Sequence, residues 1–270
     1  MHPVVLYRPG LSDESEEAVC RQHFPVYRYR TEVPPDSLVV GRYAFLPFYD
    51  EMEADVTRLG SRLVNSWAQH RYVADFQYYD DLKDVTFASW FRFEDVPYAL
   101  RSSPLVVKGR TNSRKFEWHQ KMFAPDFQAA VRIGAELAMD GLIGQQGLVL
   151  RQYVPLETFE LSVTGTPLTN EWRIFYYQGK RLAWGYYWGN LDDWSKVDTA
   201  QPDFEAHGLP FADAVARRLV NKVPFVVIDV AKTQDGRWMV VELNDGSQSG
   251  LNGVVRPEEL YANLAKALTP

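Results

Sequence analysis

The sequence predicts two architectures in succession, an α/β domain at the N-terminus and strand-rich α+β lobes after it. Three observations carry this. The first part of the chain reads strand, helix, strand, helix, which is the α/β order. The middle reads strand, polar loop, helix, strand, around Leu105–Lys108 and Leu148–Val154. From Trp172 onward apolar runs dominate, and the last two flank Asp235-Gly236, a strong hairpin signal.

In order, Val4-Val5-Leu6-Tyr7 is a short buried strand. Ser12 or Asp13 then caps a helix with Glu14, Glu16 and Glu17 in its first turn, where the helix dipole favours acids. Leu38-Val39-Val40 is the next strand. Met52, Val56, Leu59, Leu63 and Trp67 recur at three- and four-residue spacing and predict one amphipathic helix of about four or five turns. Leu105–Lys108 is an apolar strand ending in a charge, followed by a polar loop from Gly109 to Lys115. Phe127, Ala130, Val131, Gly134, Leu137 and Ala138 mark a helix, and Leu148 to Val154 a strand stopped by Pro155. Arg173–Tyr177 and Arg181–Trp188 flank a turn at Gln178-Gly179. A helix with Phe211, Val215 and Leu219 precedes the hairpin from Phe225 to Asn244. A last helix carries Leu260, Leu264 and Leu268 after Pro257.

Composition narrows the function. With 46% hydrophobic and 24% charged residues the chain is an ordinary globular protein, and no apolar run approaches the roughly 20 residues that cross a bilayer. The N-terminus lacks a basic segment leading into an apolar one, so no secretory signal or membrane partner is expected and the default location is cytoplasmic. A net charge of −6 argues against broad attraction to nucleic acid, although Lys108, Arg110, Arg114, Lys115 and Lys121 fall in one short stretch. The single cysteine, Cys20, cannot form an internal disulfide and reads as a small buried apolar residue.

The hairpin carries the chemistry. With a two-residue type I′ turn at Asp235-Gly236, Gln234 faces Arg237, and counting back pairs Asp229 with Glu242. Asn244 then shares the face of Glu242. Carboxylates directly opposite in a sheet stand with Cβ atoms about 4.5–5.5 Å apart and repel. Their apolar neighbours deny them much help from water, so unless one or both turn to solvent a Lys, an Arg or a metal ion compensates. Asp229, Glu242 and the Asn244 amide oxygen form a hard-oxygen set suited to Mg²⁺ with nucleotide phosphates.

Val241-Glu242-Leu243-Asn244, with an Asp in the preceding strand, resembles the metal-binding end of the ATP-grasp superfamily. The resemblance extends upstream through Val106-Val107-Lys108-Gly109, Leu150-Arg151-Gln152-Tyr153-Val154, and Glu171-Trp172-Arg173-Ile174-Phe175 with Gly179-Lys180. In this order and spacing the chain is most similar to the clade of small ATP-grasp proteins named for two arginines and a lysine, matched here by Arg151, Arg173 and Lys108. Gly41-Arg42-Tyr43 and Pro47-Phe48-Tyr49 fit that clade's N-terminal region. The resemblance implies an ATP-grasp fold behind a pre-ATP-grasp α/β domain, with an N-terminal domain at 1–103, a small lobe at 104–150 and a large lobe at 151–270.

It also implies roles. Lys108 reaches the α- and β-phosphates, and the loop from Gly109 to Lys115 closes over the triphosphate with Lys115 among its cations. The backbone of Gln152, Tyr153 and Val154 reads adenine at the hinge, and Glu157 or Glu160 holds the ribose. Arg173, which shares a strand face with Glu171 and could pair with it, points instead at the transferring phosphoryl group. Arg151 helps orient acceptor and γ-phosphate, Arg42 is a candidate anion contact, and Asp229, Glu242 and Asn244 hold Mg²⁺. One departure is visible: the lysine that many relatives carry before the strand at Leu105 has no match, since residues 65–86 offer only Arg71 and Lys83. The dense aromatic group Tyr176, Tyr177, Trp184, Tyr186, Tyr187 and Trp188 is mostly packing, with one or two rings left to face a substrate.

The expected cofactors are ATP and Mg²⁺. The expected chemistry turns a carboxylate into an acylphosphate, releases ADP, and lets an amine or similar nucleophile of an unidentified small-molecule or peptide acceptor attack. The alternatives are nucleotidyl transfer or RNA-end ligation, and a non-catalytic ATP-binding module.

Overall fold

The computed structural model describes residues 1–10, 14–252 and 254–269, so the cap expected at Ser12 or Asp13 lies outside it. The N-terminal part builds β1 (His2–Tyr7), α1 (Glu14–His23), β2 (Val26–Tyr27), β3 (Ser37–Arg42), α2 (Tyr49–Arg58) and β4 (Arg62–Leu63). Their strands form a parallel sheet in the order β2-β1-β3-β4. Val4 to Tyr7 and Val39-Val40 are buried whichever way they point, as parallel strands covered on both faces must be.

The long helix expected from Met52 to Trp67 does not form. Gly60, at φ +70°, follows the end of α2, Leu63 pairs beside Val39 in β4, and Trp67 opens a separate helix, α3 (Trp67–Ala74). Ser66 caps α3 by accepting a hydrogen bond from Gln69 N at 3.1 Å. The apolar spacing is helical by coincidence; Met52 and Val56 face the core from a helix and Leu63 from a strand. Trp67 at the start of α3 packs on the N-terminal core, whereas Tyr72 and Val73 near its end, Phe76 after it, and Tyr78 and Leu82 of the short α4 (Tyr78–Leu82) pack against the last sheet of the chain.

Arg42 is fully buried and makes no contact with solvent. Its guanidinium donates to Glu16 Oε1 from Nη2 (2.6 Å) and Nε (3.0 Å), and from Nη1 to Gly246 O (2.6 Å). Tyr43 and Tyr261 complete the cluster by donating to Glu16 at 2.8 and 2.6 Å. The expected anion contact at Arg42 is therefore a buried internal ion pair joining α1, β3 and the segment after the last strand. Removing one partner of such a pair strands the other charge. Glu16→Ala is expected to cost about 3–5 kcal/mol of stability, read as a lowered denaturant midpoint; an unchanged midpoint contradicts it.

The small lobe builds β5 (Ser89–Trp90), β6 (Leu105–Gly109), α5 (Trp118–Lys121), β7 (Phe123–Ala124), α6 (Phe127–Ala138) and β8 (Leu148–Gln152). Its antiparallel sheet runs β5-β8-β6-β7. Asp126 caps α6, and Ala130, Ile133 and Leu137 cover the apolar sides of β6 and β8. Because β5 pairs with β8, the boundaries expected at 103/104 and 150/151 both fall inside this lobe.

The large lobe adds β9 (Thr158–Leu161), β10 (Pro167–Thr169), β11 (Glu171–Tyr177), β12 (Lys180–Tyr186), α7 (Ser195–Asp203), α8 (Leu209–Arg218), β13 (Phe225–Lys232), β14 (Trp238–Asp245) and α9 (Pro257–Leu268). The main sheet is antiparallel, β12-β11-β13-β14, and β9 pairs only with β10. Gln178 and Gly179 take φ +46° and +74°, the pair of positive values a type I′ turn requires, and they join β11 to β12. One sheet face, with Trp172, Ile174, Tyr176, Val226 and Ile228, packs on α8 and the Tyr72–Tyr78 region. On the other face Phe175, Tyr177, Phe225 and Val227 pack against α9 and the N-terminal sheet. That face turns polar toward its other end, beneath the small lobe. No helix among the described residues is long and apolar enough to cross a membrane.

Candidate active site

The geometry of the β13–β14 ribbon decides whether the carboxylates meet. Thr233 N donates to Arg237 O (2.8 Å) and Gly236 N to Thr233 O (2.9 Å), so the ribbon closes through three residues. Gly236 alone in that loop has positive φ, +85°, so the expected type I′ turn is absent. Lys232 consequently pairs with Trp238 and Val230 with Val240, one residue out of the expected register. Val241 then bulges out of register, and Asp229 faces Glu242 after all. The Val241 carbonyl accepts a 2.6 Å hydrogen bond from Arg151 Nη1, which ties the bulge to the small lobe.

Arg173, Asp229 and Glu242 therefore form one row across β11, β13 and β14, with Glu171 two residues before Arg173 and Asn244 two residues after Glu242, on opposite sides of the row but the same face of the sheet. Arg173 grips Asp229 with Nε and Nη2 at 2.9 and 2.8 Å, while Nη1 donates to Gly250 O and Asn252 Oδ1. Its partner is thus Asp229 across the sheet and not Glu171 along the strand, and that carboxylate holds the Arg173 pKa above its usual value against the opposing effect of burial. Lys108, at the end of β6, reaches down from the small lobe to pair with Glu242 Oε1. Asn244 Nδ2 donates to Asp229 Oδ2 at 3.2 Å.

Two carboxylates and an amide side by side are the oxygen donors Mg²⁺ prefers when phosphate oxygens complete its shell. Among the described residues no cluster of three or more His, Cys, Asp or Glu forms a self-sufficient metal cage. The donor set fits an ion that arrives with a nucleotide, with Arg173 and Lys108 balancing the carboxylates otherwise.

Above this row lies a cleft walled by both lobes and lined by Lys108, Lys115, Arg151, Gln152, Tyr153, Val154, Glu171 and Glu242, among others. Arg151 is buried and donates only to neutral acceptors, namely Ser89 Oγ, Thr86 Oγ1 and Val241 O. Burial lowers its pKa, as expected for a charge without a bonded carboxylate. At the hinge, Gln152 N and Tyr153 N donate to Ala88 O and Pro104 O, whereas Val154 N makes no backbone hydrogen bond among the described residues. Trp118, Met122 and Phe87 add an apolar lining, and Thr158, Thr166, Pro167 and Thr169 bring the β9–β10 hairpin in as a side wall.

Lys115 points into the cleft, where its ammonium donates to Tyr187 Oη at 2.8 Å. Burial draws its pKa down, with Glu171 opposing. Glu171 itself is buried, and desolvation first, then the Asp229 charge, raises its pKa to about 8. The folded state therefore keeps a proton that an unfolded glutamate releases near 4.5. Stability linked to that proton is complete below the unfolded value and is lost as pH rises toward about 8. Urea titrations should show wild type losing stability relative to Glu171→Gln across this window; parallel curves contradict the assignment.

Other expected residues lie elsewhere. Glu157 accepts from Asn170 Nδ2, and Glu160 accepts from Asp192 N and Asp193 N; neither lines the cleft. The basic stretch is largely paired, Lys108 with Glu242, Arg114 with Asp140 and Lys121 with Glu117. Of the aromatic group, Tyr187 and Trp188 face the cleft, Tyr176, Trp184 and Tyr186 pack in the core on one face of the sheet, and Tyr177 packs on the other. Glu171 and the hairpin wall had no assigned role in the sequence, although the two-residue spacing from Glu171 to Arg173 places both on the functional face.

Over residues 96–264 the sequence matches an ATP-grasp domain family, the third of the clade named for two arginines and a lysine. No curated protein matches it. Among solved structures it is similar to a RimK domain ATP-grasp protein from Sphaerobacter thermophilus, at 16% identity and TM-score 0.58, covering 99% of this chain and 100% of that one. It is similar to the D-cycloserine synthetase DcsG at 13% identity and TM-score 0.55, covering 99% and 100%. It is also similar to the ATP-grasp ligase PsnB, solved with a minimal precursor, Mg and ADP, at 13% identity and TM-score 0.57, covering 98% and 97%. At these identities the likeness is one of fold.

Proposed function

The chain belongs to the third ATP-grasp family of the two-arginine, one-lysine clade, and we propose that it is an ATP- and Mg²⁺-dependent ligase that activates a carboxylate as an acylphosphate. One observation carries the reading: the four cations Lys108, Lys115, Arg151 and Arg173 outnumber the carboxyl groups of Asp229 and Glu242 in the cleft and the row beneath it. Glu171, held largely protonated at neutral pH, does not redress the balance. A buried surplus of positive charge calls for an anionic ligand, and Mg·ATP carries that sign.

Adenine enters between the hinge and the apolar lining, with the free Val154 N–H available to its edge. Glu171 is the buried carboxyl facing the cleft and is our choice for the ribose contact in place of Glu157 or Glu160. Lys108 and Lys115 meet the phosphates as ammonium point charges, Lys115 from its place against Tyr187. Asp229, Glu242 and Asn244 would hold Mg²⁺, which would supply charge neutralisation to the nucleotide phosphates. Arg173, fixed by Asp229, presents a planar cation where charge grows on the transferring phosphoryl group. Arg151 fixes the bulge that sets this row. The acceptor carboxylate takes the γ-phosphoryl group, ADP leaves, and an amine or similar nucleophile of a small molecule or peptide displaces phosphate.

Positional isotope exchange tests this. ATP labelled with ¹⁸O in the β,γ-bridge is incubated with Mg²⁺ and candidate carboxylates in the absence of amine. Carboxylate-dependent scrambling of the bridge label is expected. AMP and pyrophosphate as the products, without such scrambling, would favour nucleotidyl transfer and overturn the proposal.

A further inference from the structure

Tyr187 stands directly after β12 and carries a contact pattern that the nucleotide reading leaves unused. Its ring centroid is 4.4 Å from Lys115 Nζ and 4.9 Å from Arg173 Cζ. Its hydroxyl accepts the Lys115 hydrogen bond at 2.8 Å, and Trp188 adds a second ring 4.9 Å from the same ammonium. The two cations come from different lobes. Lys115 rides on the loop after β6, and Arg173 is fixed in β11. Neither the Lys115 ammonium nor the Arg173 Nη1 pair of bonds ends on a carboxylate of its own.

We propose that Tyr187 is a positioning residue that holds Lys115 and Arg173 together at the phosphate end of the cleft. A ring with its negative face toward a cation attracts it without neutralising it. A carboxylate in this place would pair with the cations and compete with the phosphates. An aromatic ring orients both charges without adding a second carboxylate to the one, Asp229, that Arg173 already holds. The small-lobe loop is secured a second time where Thr166 Oγ1 donates to Lys115 O at 2.8 Å, so the lysine backbone is anchored to the β9–β10 hairpin while its tip is anchored to Tyr187. Lys115 thereby sits in its ligand-facing place before nucleotide arrives. Pre-placement of this kind spares the ordering cost that binding would otherwise carry. Glu171 and Asp229, the acids facing the ammonium from β11 and β13, act on its charge state without bonding to it.

This inference rests on the nucleotide reading, and calorimetry with the non-hydrolysable analogue AMPPNP and Mg²⁺ separates the two. Tyr187→Phe keeps the ring and deletes the hydrogen bond, and should weaken AMPPNP binding about 3-fold. Tyr187→Leu removes the ring contacts and should weaken it about 30-fold, within the range of two desolvated cation–π contacts. Combining Tyr187→Leu with Lys115→Met should weaken binding by less than the product of the two single effects, because the contact between the two side chains is deleted twice. A structural readout runs alongside: reductive methylation of Lys115 in the nucleotide-free protein, followed by mass spectrometry, should speed up in Tyr187→Leu and only slightly in Tyr187→Phe. If Tyr187→Leu unfolds, the Tyr187→Phe affinity and labelling rates decide alone. Wild-type protein that binds no AMPPNP overturns the nucleotide reading and this inference with it. Wild-type binding matched by both Tyr187 variants, with unchanged Lys115 labelling, overturns the inference only.

Discussion

Glu242→Gln is expected to lower Mg²⁺-dependent turnover by at least about 100-fold, while the protein stays folded. The glutamine keeps the shape of the side chain and one oxygen, so Lys108 retains an acceptor at the end of its reach. What disappears is the negative charge opposite Asp229. That charge balances buried Lys108 and, in the proposed metal site, would supply a hard anionic ligand on the face shared with Asn244. A neutral amide does neither well. Mn²⁺ titration by electron paramagnetic resonance, with and without AMPPNP, measures the ligand loss apart from catalysis. An unchanged Mn²⁺ affinity would remove Glu242 from the metal site and leave it as the partner of Lys108.

Arg173→Lys is expected to slow phosphoryl transfer by about 10²- to 10³-fold, with nucleotide affinity falling less than about 10-fold. Lysine preserves the charge but not the fork. In the native site the guanidinium makes two parallel bonds to Asp229 and still has Nη1 for Gly250 O and Asn252 Oδ1. An ammonium on a flexible stem cannot satisfy both directions at once. The developing charge on the phosphoryl group then meets a cation that must be reorganised during the reaction. Single-turnover measurement of carboxylate-dependent ATP cleavage separates this from binding. A Lys variant that lost affinity and kept its cleavage rate would show that Arg173 acts in the ground state only.

The pairing of Asp229 with Glu242 was legible in the sequence, and the way it is built was not. Counting from a two-residue turn gave the pairing of Asp229 with Glu242, and the ribbon reaches the same pairing through a three-residue loop and a bulge at Val241. The two displacements cancel. The bulge is illegible locally because its partner, Arg151, lies in another lobe. The same distance hides the Arg173–Asp229 pair, where strand adjacency was needed to see that Asp229 and not Glu171 faces the arginine.

The merged helix at Met52–Trp67 failed for a different reason. Apolar spacing reports burial, and burial by a helix, a strand edge and a second helix can fall on one period. The β9–β10 hairpin was missed because Thr158 to Leu161 is a short, partly exposed segment without a buried alternation to betray it. Arg42 carried the opposite ambiguity. Its burial with Glu16 depends on a contact 26 residues away, which no local pattern announces.

Asp229, Glu242 and Asn244 together are proposed to hold the ion that serves ATP, and the roles proposed for Arg173 and Arg151 at that row are built on this placement. A crystal of the protein grown with AMPPNP and Mn²⁺, measured at the manganese absorption edge, tests it most directly. An anomalous peak is expected about 2.0–2.3 Å from oxygens of those three side chains and of the nucleotide phosphates. Nucleotide seated in the cleft with the manganese signal elsewhere, or with none, would contradict it.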